Sequence, residues 1–295
     1  MKALPGGWYD MSPPGMSPPG MSPPGMSPPG MSPPGGDPPV PEERPRGPYA
    51  LLFPFAGGNI HSMREWITEL GPGWRPLVAQ YPRRGRRLRT PMPAALTDLG
   101  TELADAFLEF APGERPLLLG HSLGAHLAHT AAVRFEERGV TPRLLAVAAS
   151  RTAGGGATAA DTVPLHQRSD ADLVDALGRF GGMPEALADP RFAQLFLPVV
   201  RADLRLGHDH LAGGYDRTVH CPVLAVGGTE DPLAVPDDVA RWSKVAAGDF
   251  ALELVAGGHF FQQRGGTGLR ARFDRVLTGP ARHPHHHRDE REDAR

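Results

Sequence analysis

The sequence predicts an α/β fold: a mostly parallel sheet flanked by helices, with a helical insertion over the sheet's carboxyl edge. Three observations predict it. From Tyr49 onward, short apolar runs alternate with helical stripes, the rhythm of strand–helix–strand units. Several of those runs lack polar alternation, which is expected of strands buried on both faces. The interval of about 151–219 breaks the rhythm, offering short helices and no strong strand. An insertion at that point lies where open α/β sheets bind their ligands, and it is read as a lid.

Residues 1–48 have another character. MSPPG repeats five times over 11–35, and Gly36 to Pro48 keeps the bias. A period of five is not collagen, which needs glycine at every third position. Paired prolines favour an extended chain that glycine interrupts, and nothing in the repeats forms a core. The segment is read as a disordered extension, with docking or tethering to an aromatic groove as the alternative. The folded part is expected over 49–278, and residues 279–295, ending in "HPHHHRDEREDAR", as a polar disordered tail.

Within the folded part, "YALLFPF" predicts a first strand that runs into "AGG" at 56–58. Ser62 and Glu65 fit a capping box for a short helix through Leu70. "WRPLVAQYP" offers a strand over Leu77–Tyr81, and the stripe at Leu99, Leu103, Phe107 and Phe110 a helix from Thr97. "RPLLLGHSLGAHLAH" predicts a strand at Leu117–Leu119 and a helix over Leu123–Glu137. Further strands are expected in "RLLAVAAS", "PVLAVGG" and "FALELVAGG". In the insertion, Leu173, Val174, Leu177 and Phe180 suggest one helix and "FAQLFLPVVRADLRL" another.

Ser122 sits where the strand becomes the helix, between Gly120 and Gly124. A turn that sharp excludes bulky neighbours and lifts the hydroxyl above the sheet. A serine hydroxyl needs a base, and the base an orienting carboxylate. His259 follows the strand at 250–255, with Gly257 and Gly258 letting its loop turn back. Asp231 lies just beyond the strand that ends near Gly227. The chain order Ser122, Asp231, His259 is that of an α/β-hydrolase site. Glu230 is adjacent, but neighbouring side chains diverge, and Asp231 is the assigned carboxylate; its alternative role is a helix cap ahead of "PLAVPDDVARW". His121, His126 and His129 surround the elbow and are read as packing residues. The developing oxyanion needs two donors. Leu123 supplies one N–H by position, and Ala56, followed by glycines, is assigned the other.

The series "LLFPFAGG", "QYPRRGRR", "LLLGHSLGAHLA", "LGRFGGMPEAL", "LFLPVVRADLRL", "CPVLAVGGTEDPL" and "VAGGHFFQ" resembles the type II thioesterases of modular polyketide and nonribosomal peptide synthases. The resemblance spans about 49–275. It implies an α/β-hydrolase fold with a mobile helical lid. It also implies an editing enzyme that hydrolyses stalled or wrong acyl groups from the phosphopantetheine thiol of carrier domains. The family's triad falls on Ser122, Asp231 and His259, and its oxyanion donors on Ala56 and Leu123. Two departures stand out: Phe55 where the family often has histidine, and Pro82-Arg83-Arg84 where it has "YPGR" without the first arginine. Neither touches the triad. The extension and the tail have no place in the family pattern.

Arg83, Arg84, Arg86, Arg87 and Arg89 form a basic cluster, suited to an acidic carrier face or a phosphopantetheine phosphate, or else simply solvated. A net charge of −2 gives no global signal for nucleic acid. The single cysteine, Cys221, excludes an internal disulfide and a thiolate metal cluster. No run of 18 apolar residues suggests a membrane span. A cytoplasmic monomer without cofactor or catalytic metal is expected; His283, His285, His286 and His287 suit at most an adventitious ion. The same machinery would also serve a small-ester hydrolase or an acyltransferase.

Overall fold

The computed structural model describes residues 1–12, 47–152, 163–181, 187, 189–214, 217–265 and 268–278. The MSPPG repeats after Ser12, the tail at 279–295, and 153–162 and 182–186 of the insertion lie outside the described residues.

One eight-stranded sheet organises the chain, in the order β1-β2-β4-β3-β5-β6-β7-β8. Its strands are β1 (Lys2–Ala3), β2 (Trp8–Asp10), β3 (Tyr49–Phe53), β4 (Arg75–Ala79), β5 (Leu117–His121), β6 (Leu144–Ala148), β7 (Val223–Gly228) and β8 (Phe250–Val255). From β4 across to β8 all neighbours pair in parallel. The two layers of core follow from the pleat, which sends successive side chains to opposite faces. Leu51, Phe53, Leu118, Leu145 and Val223 face α2 (Leu96–Phe110), α3 (Leu123–Glu137) and α6 (Pro236–Ala240). Leu52, Leu117, Leu119, Leu144 and Leu224 face α1 (Arg64–Leu70) and α7 (Leu269–Thr278). Burial on both sides is why these strands read as unbroken apolar runs. At the edge, β8 leaves Leu252 and Leu254 exposed.

The insertion between β6 and β7 carries α4 (Asp170–Phe180) and α5 (Pro190–Gly213). Ser169 caps α4 by accepting the Asp172 N–H at 3.1 Å. Leu173, Leu187 and Leu197 form a small apolar cluster of their own, apart from the two main layers. Leu206 of α5 joins the main core instead, so the insertion is both packed on itself and seated on the body.

The structure corrects the sequence reading at three points. Residues 1–12 are not a coreless extension: β2 pairs antiparallel with β4, Trp8 opposite Ala79. Trp8 is 1% exposed, donates its indole N–H to the Leu103 carbonyl at 2.9 Å and meets Phe53 edge-on. The folded unit therefore begins before the repeats. Ser62 forms no capping box; its Oγ accepts the Asn59 N–H at 2.9 Å, and α1 starts later, behind Met63. The strand expected at Leu77–Tyr81 ends at Ala79, because Tyr81 turns away to donate its hydroxyl to the Pro54 carbonyl at 2.8 Å. Among the described residues, no helix is long and apolar enough to cross a membrane.

Candidate active site

Ser122 joins β5 to α3 with φ 55° and ψ −117°, a conformation that side-chain-bearing residues rarely adopt. It persists because its surroundings hold it. Its N–H bonds the Ala148 carbonyl at 2.8 Å, and its own carbonyl accepts the Ala125 N–H at 3.0 Å. The flanking glycines are steric necessities: a Cβ at Gly120 would run into the Gly124 carbonyl, and one at Gly124 into the Phe53 carbonyl.

The loops after β7 and β8 are laced together, the Thr229 N–H to the Val255 carbonyl and the Glu230 N–H to the Gly257 carbonyl. That lacing brings Asp231 to His259, with 2.9 Å between Oδ2 and Nδ1. The other carboxylate oxygen accepts the Leu233 N–H at 2.8 Å and the Ala234 N–H at 3.2 Å. Both partners are buried, Asp231 at 2% and His259 at 4%. The pairing suits the tautomer in which Nδ1–H donates to the carboxylate and Nε2 can accept. Asp231 thus does not cap α6, whose N-cap residue is Val235. Glu230 points outward and is exposed.

Ser122, His259, Ala56 and Leu123 all line one cavity of about 250 Å³, roofed by Leu204, Gly207 and Leu211 of α5. Among the described residues, the Ala56 N–H finds no backbone acceptor in the protein. Leu123 opens α3, where a helix presents N–H groups with no intrahelical partner. Ser122, His259 and the backbone of Ala56 and Leu123 therefore face one cavity, with Asp231 behind His259, a candidate set for acyl transfer.

A family model described as the thioesterase domain matches residues 50–273. The chain belongs to the thioesterase family. This thioesterase is 35% identical to a probable cadicidin biosynthesis thioesterase of Streptomyces griseus, over 71% of this chain and 56% of that protein. The chain thus spans little more than half the length of that relative. Among solved structures, it is similar to the type II thioesterase BorB of the borrelidin cluster, with a TM-score of 0.68, 28% identity and coverage of 79% and 94%. It also resembles the RedJ thioesterase of the prodiginine pathway in Streptomyces coelicolor, with a TM-score of 0.67, 31% identity and coverage of 81% and 91%. The fold is that of the α/β-hydrolase superfamily, and the type II group is where this thioesterase falls.

The histidines around the elbow are packing residues in this thioesterase. His121 is fully buried among Phe55, Trp66, Phe260 and Phe261, and its ring meets the His259 ring edge-on at 5.3 Å. Burial, and then the nearby His259, push its pKa well below the usual imidazole value, so it stays neutral. His126 lines the cavity, lies over Trp242 and contacts Ser150 Oγ at 3.2 Å. Burial also holds it well below the usual value. His129 packs on Trp242 and reaches the Arg217 carbonyl at 3.2 Å.

The arginine cluster divides. Arg83, Arg86 and Arg89 are exposed. Arg83, standing where the family pattern has glycine, adopts φ 63°, so the loop keeps a glycine conformation at some strain. Arg84 and Arg87 are not free for a carrier, contrary to the sequence expectation. Arg87 pairs with Glu102 at 2.6 Å. Arg84 is 8% exposed and pairs with Asp203 of α5 at 2.7 Å. Asp203 escaped the sequence reading, although a signal existed: it interrupts the apolar stripe of Leu197, Val200, Leu206 and Gly207. A carboxylate on the buried face of a helix demands a partner.

Proposed function

We propose that this type II thioesterase hydrolyses acyl groups from the phosphopantetheine thiol of carrier domains in polyketide or nonribosomal peptide assembly, as an editing enzyme. The 2.9 Å Asp231–His259 pair opening onto the cavity that holds Ser122 carries this reading. His259 Nε2 takes the Ser122 proton as Oγ attacks the acyl carbonyl carbon, and the N–H groups of Ala56 and Leu123 stabilise the oxyanion. The carbon–sulfur bond breaks, and the thiol leaves with the proton from Nε2. Water, deprotonated by His259, then attacks the acyl-enzyme; the acid departs and Ser122 recovers its proton. Asp231 stays ionised, holding the tautomer and countering the transient imidazolium.

The biosynthetic setting is supported by the likeness to BorB and RedJ, one named for the borrelidin biosynthetic cluster and the other for the prodiginine biosynthetic pathway, and the carrier partner by the resemblance of the sequence motifs. The enzyme works as a cytoplasmic monomer that needs no cofactor, metal or nucleic acid. Exposed Arg83, Arg86 and Arg89 offer a basic face to an acidic carrier.

The test presents the protein and its Ser122→Ala variant with acyl-loaded carrier domains and matched simple esters, reading free acid by mass. Release from carriers should exceed release from esters, and Ser122→Ala should fold normally and turn nothing over. A preference for esters would instead make this a carboxylic ester hydrolase, and an active alanine variant would remove Ser122 as nucleophile.

A further inference from the structure

The loop between β3 and α1 bears the Ala56 N–H, and three hydrogen bonds from elsewhere in the chain hold it. The Tyr81 hydroxyl donates to the Pro54 carbonyl at 2.8 Å. Asp203 Oδ2 accepts the Gly57 N–H at 2.8 Å. Arg84 Nη1 donates to the Gly58 carbonyl at 2.8 Å. The last two are joined, because Arg84 Nη2 donates to Asp203 Oδ1 at 2.7 Å. Both carboxylate oxygens of a residue only 1% exposed are therefore spoken for, and one of them grips the loop.

The geometry of the peptide planes explains what that grip does. The Gly58 N–H bonds the Phe55 carbonyl at 2.8 Å, fixing the plane of the Phe55–Ala56 peptide. In a trans peptide the N–H points opposite its carbonyl, so pinning Phe55 O aims the Ala56 N–H the other way. The next plane, Ala56–Gly57, carries the N–H that Asp203 holds. The turn that closes from the Phe55 carbonyl to the Gly58 N–H has Gly57 at φ 78°, with α5 so close that a Cβ there would stand 2.7 Å from Val200 Cγ2. α5 therefore lies directly against this turn.

We propose that Asp203, held by Arg84, is a positioning residue for the oxyanion hole, coupling lid helix α5 to the direction of the Ala56 N–H. This rests on the assignment of Ala56 as an oxyanion donor in the thioesterase reaction. Lid and hole then form one unit: the donor is in place when α5 is seated and slack when it is not.

The test uses the full-length enzyme and an N-acetylcysteamine thioester, which needs no carrier docking. Ser122 adducts of a fluorophosphonate, counted by mass at completion, give the number of competent sites, so kcat is expressed per folded site. Asp203→Asn should lower kcat by about 10- to 100-fold, with KM changed less than about threefold, since a bond made only in the transition state is weakened. Asp203→Ala should also lose thermal stability, leaving Arg84 buried without its counter-ion. The double variant Arg84→Met with Asp203→Leu removes both charges and should recover the thermal midpoint. Its kcat should stay low, because the Gly57 N–H still lacks an acceptor. Recovery of kcat together with the midpoint would make the pair a stabilising element only and overturn the proposal. A kcat per site within about twofold of wild type in Asp203→Asn would do the same. Ser122→Ala, run alongside, separates the readings: an inactive Ser122→Ala beside fully active Asp203 variants leaves the serine mechanism standing and removes this one.

Discussion

Asp231 divides its carboxylate between two tasks, one oxygen on His259 Nδ1 at 2.9 Å and the other on the Leu233 and Ala234 N–H groups. The backbone bonds lock the carboxylate's orientation, and the carboxylate locks the imidazole. Asp231→Asn keeps the volume but presents an amide that can donate to Nδ1, selecting the wrong tautomer. Steady-state kcat should fall by about 10²- to 10⁴-fold, with far-ultraviolet circular dichroism unchanged. Glu230→Gln, at an exposed neighbour, should remain within about twofold of wild type. The reverse pattern would move the carboxylate to Glu230.

Trp8 ties the first strands to the body of the enzyme. Trp8→Ala removes its packing on Phe53 and the bond to the Leu103 carbonyl, a loss of about 3–5 kcal/mol for a buried tryptophan. A chain starting near Arg46 should suffer similarly, with a thermal midpoint lower by at least ~6 °C. Turnover of a small thioester at 25 °C should persist, since β1 and β2 sit at the sheet edge away from Ser122. An unchanged midpoint in both proteins would mean that the strand pairing adds nothing.

The exposed arginines should act through long-range attraction. Replacing Arg83 and Arg86 by glutamate should lower kcat/KM for carrier-bound thioesters by about tenfold at low salt, an effect that shrinks as ionic strength rises. A small thioester carries no acidic domain and should be hydrolysed as before. Paired rates at two ionic strengths decide the matter; equal, small effects on both substrates would leave these arginines as solvated surface.

His121 makes stability depend on pH. The ring is fully buried, and burial holds its pKa in the folded protein well below the usual value near 6.5. As pH falls below about 6.5 the unfolded chain therefore takes up a proton that the folded chain refuses, so stability is full above that pH and declines beneath it. The slope reaches at most about 1.4 kcal/mol per pH unit for each such histidine. His126, shifted the same way, adds its own share. His121→Phe keeps the aromatic packing and removes one titration. Urea unfolding at pH 7.5, 6.5 and 5.5 should show a shallower acid loss in that variant; an identical slope would contradict a neutral His121.

Much of this enzyme was legible in residue order because the relevant physics is local. Only glycine fits at 120 and 124 beside the Ser122 turn, strands buried on both faces must be continuously apolar, and α3 follows its stripe from Leu123 to Glu137. The meeting of Asp231 with His259 was foreseeable because each closely follows its strand, and parallel neighbours bring those two strand ends together. What residue order left open depends on partners distant in the chain. Trp8–Asp10 looks like an idle terminus until β4 offers an unpaired edge, and no local pattern announces that pairing. The five arginines look equivalent in sequence; Asp203, 119 residues beyond Arg84, selects which one turns inward. A strand edge and a buried counter-charge are supplied by the fold around a residue, so periodicity cannot reveal them and tertiary packing must.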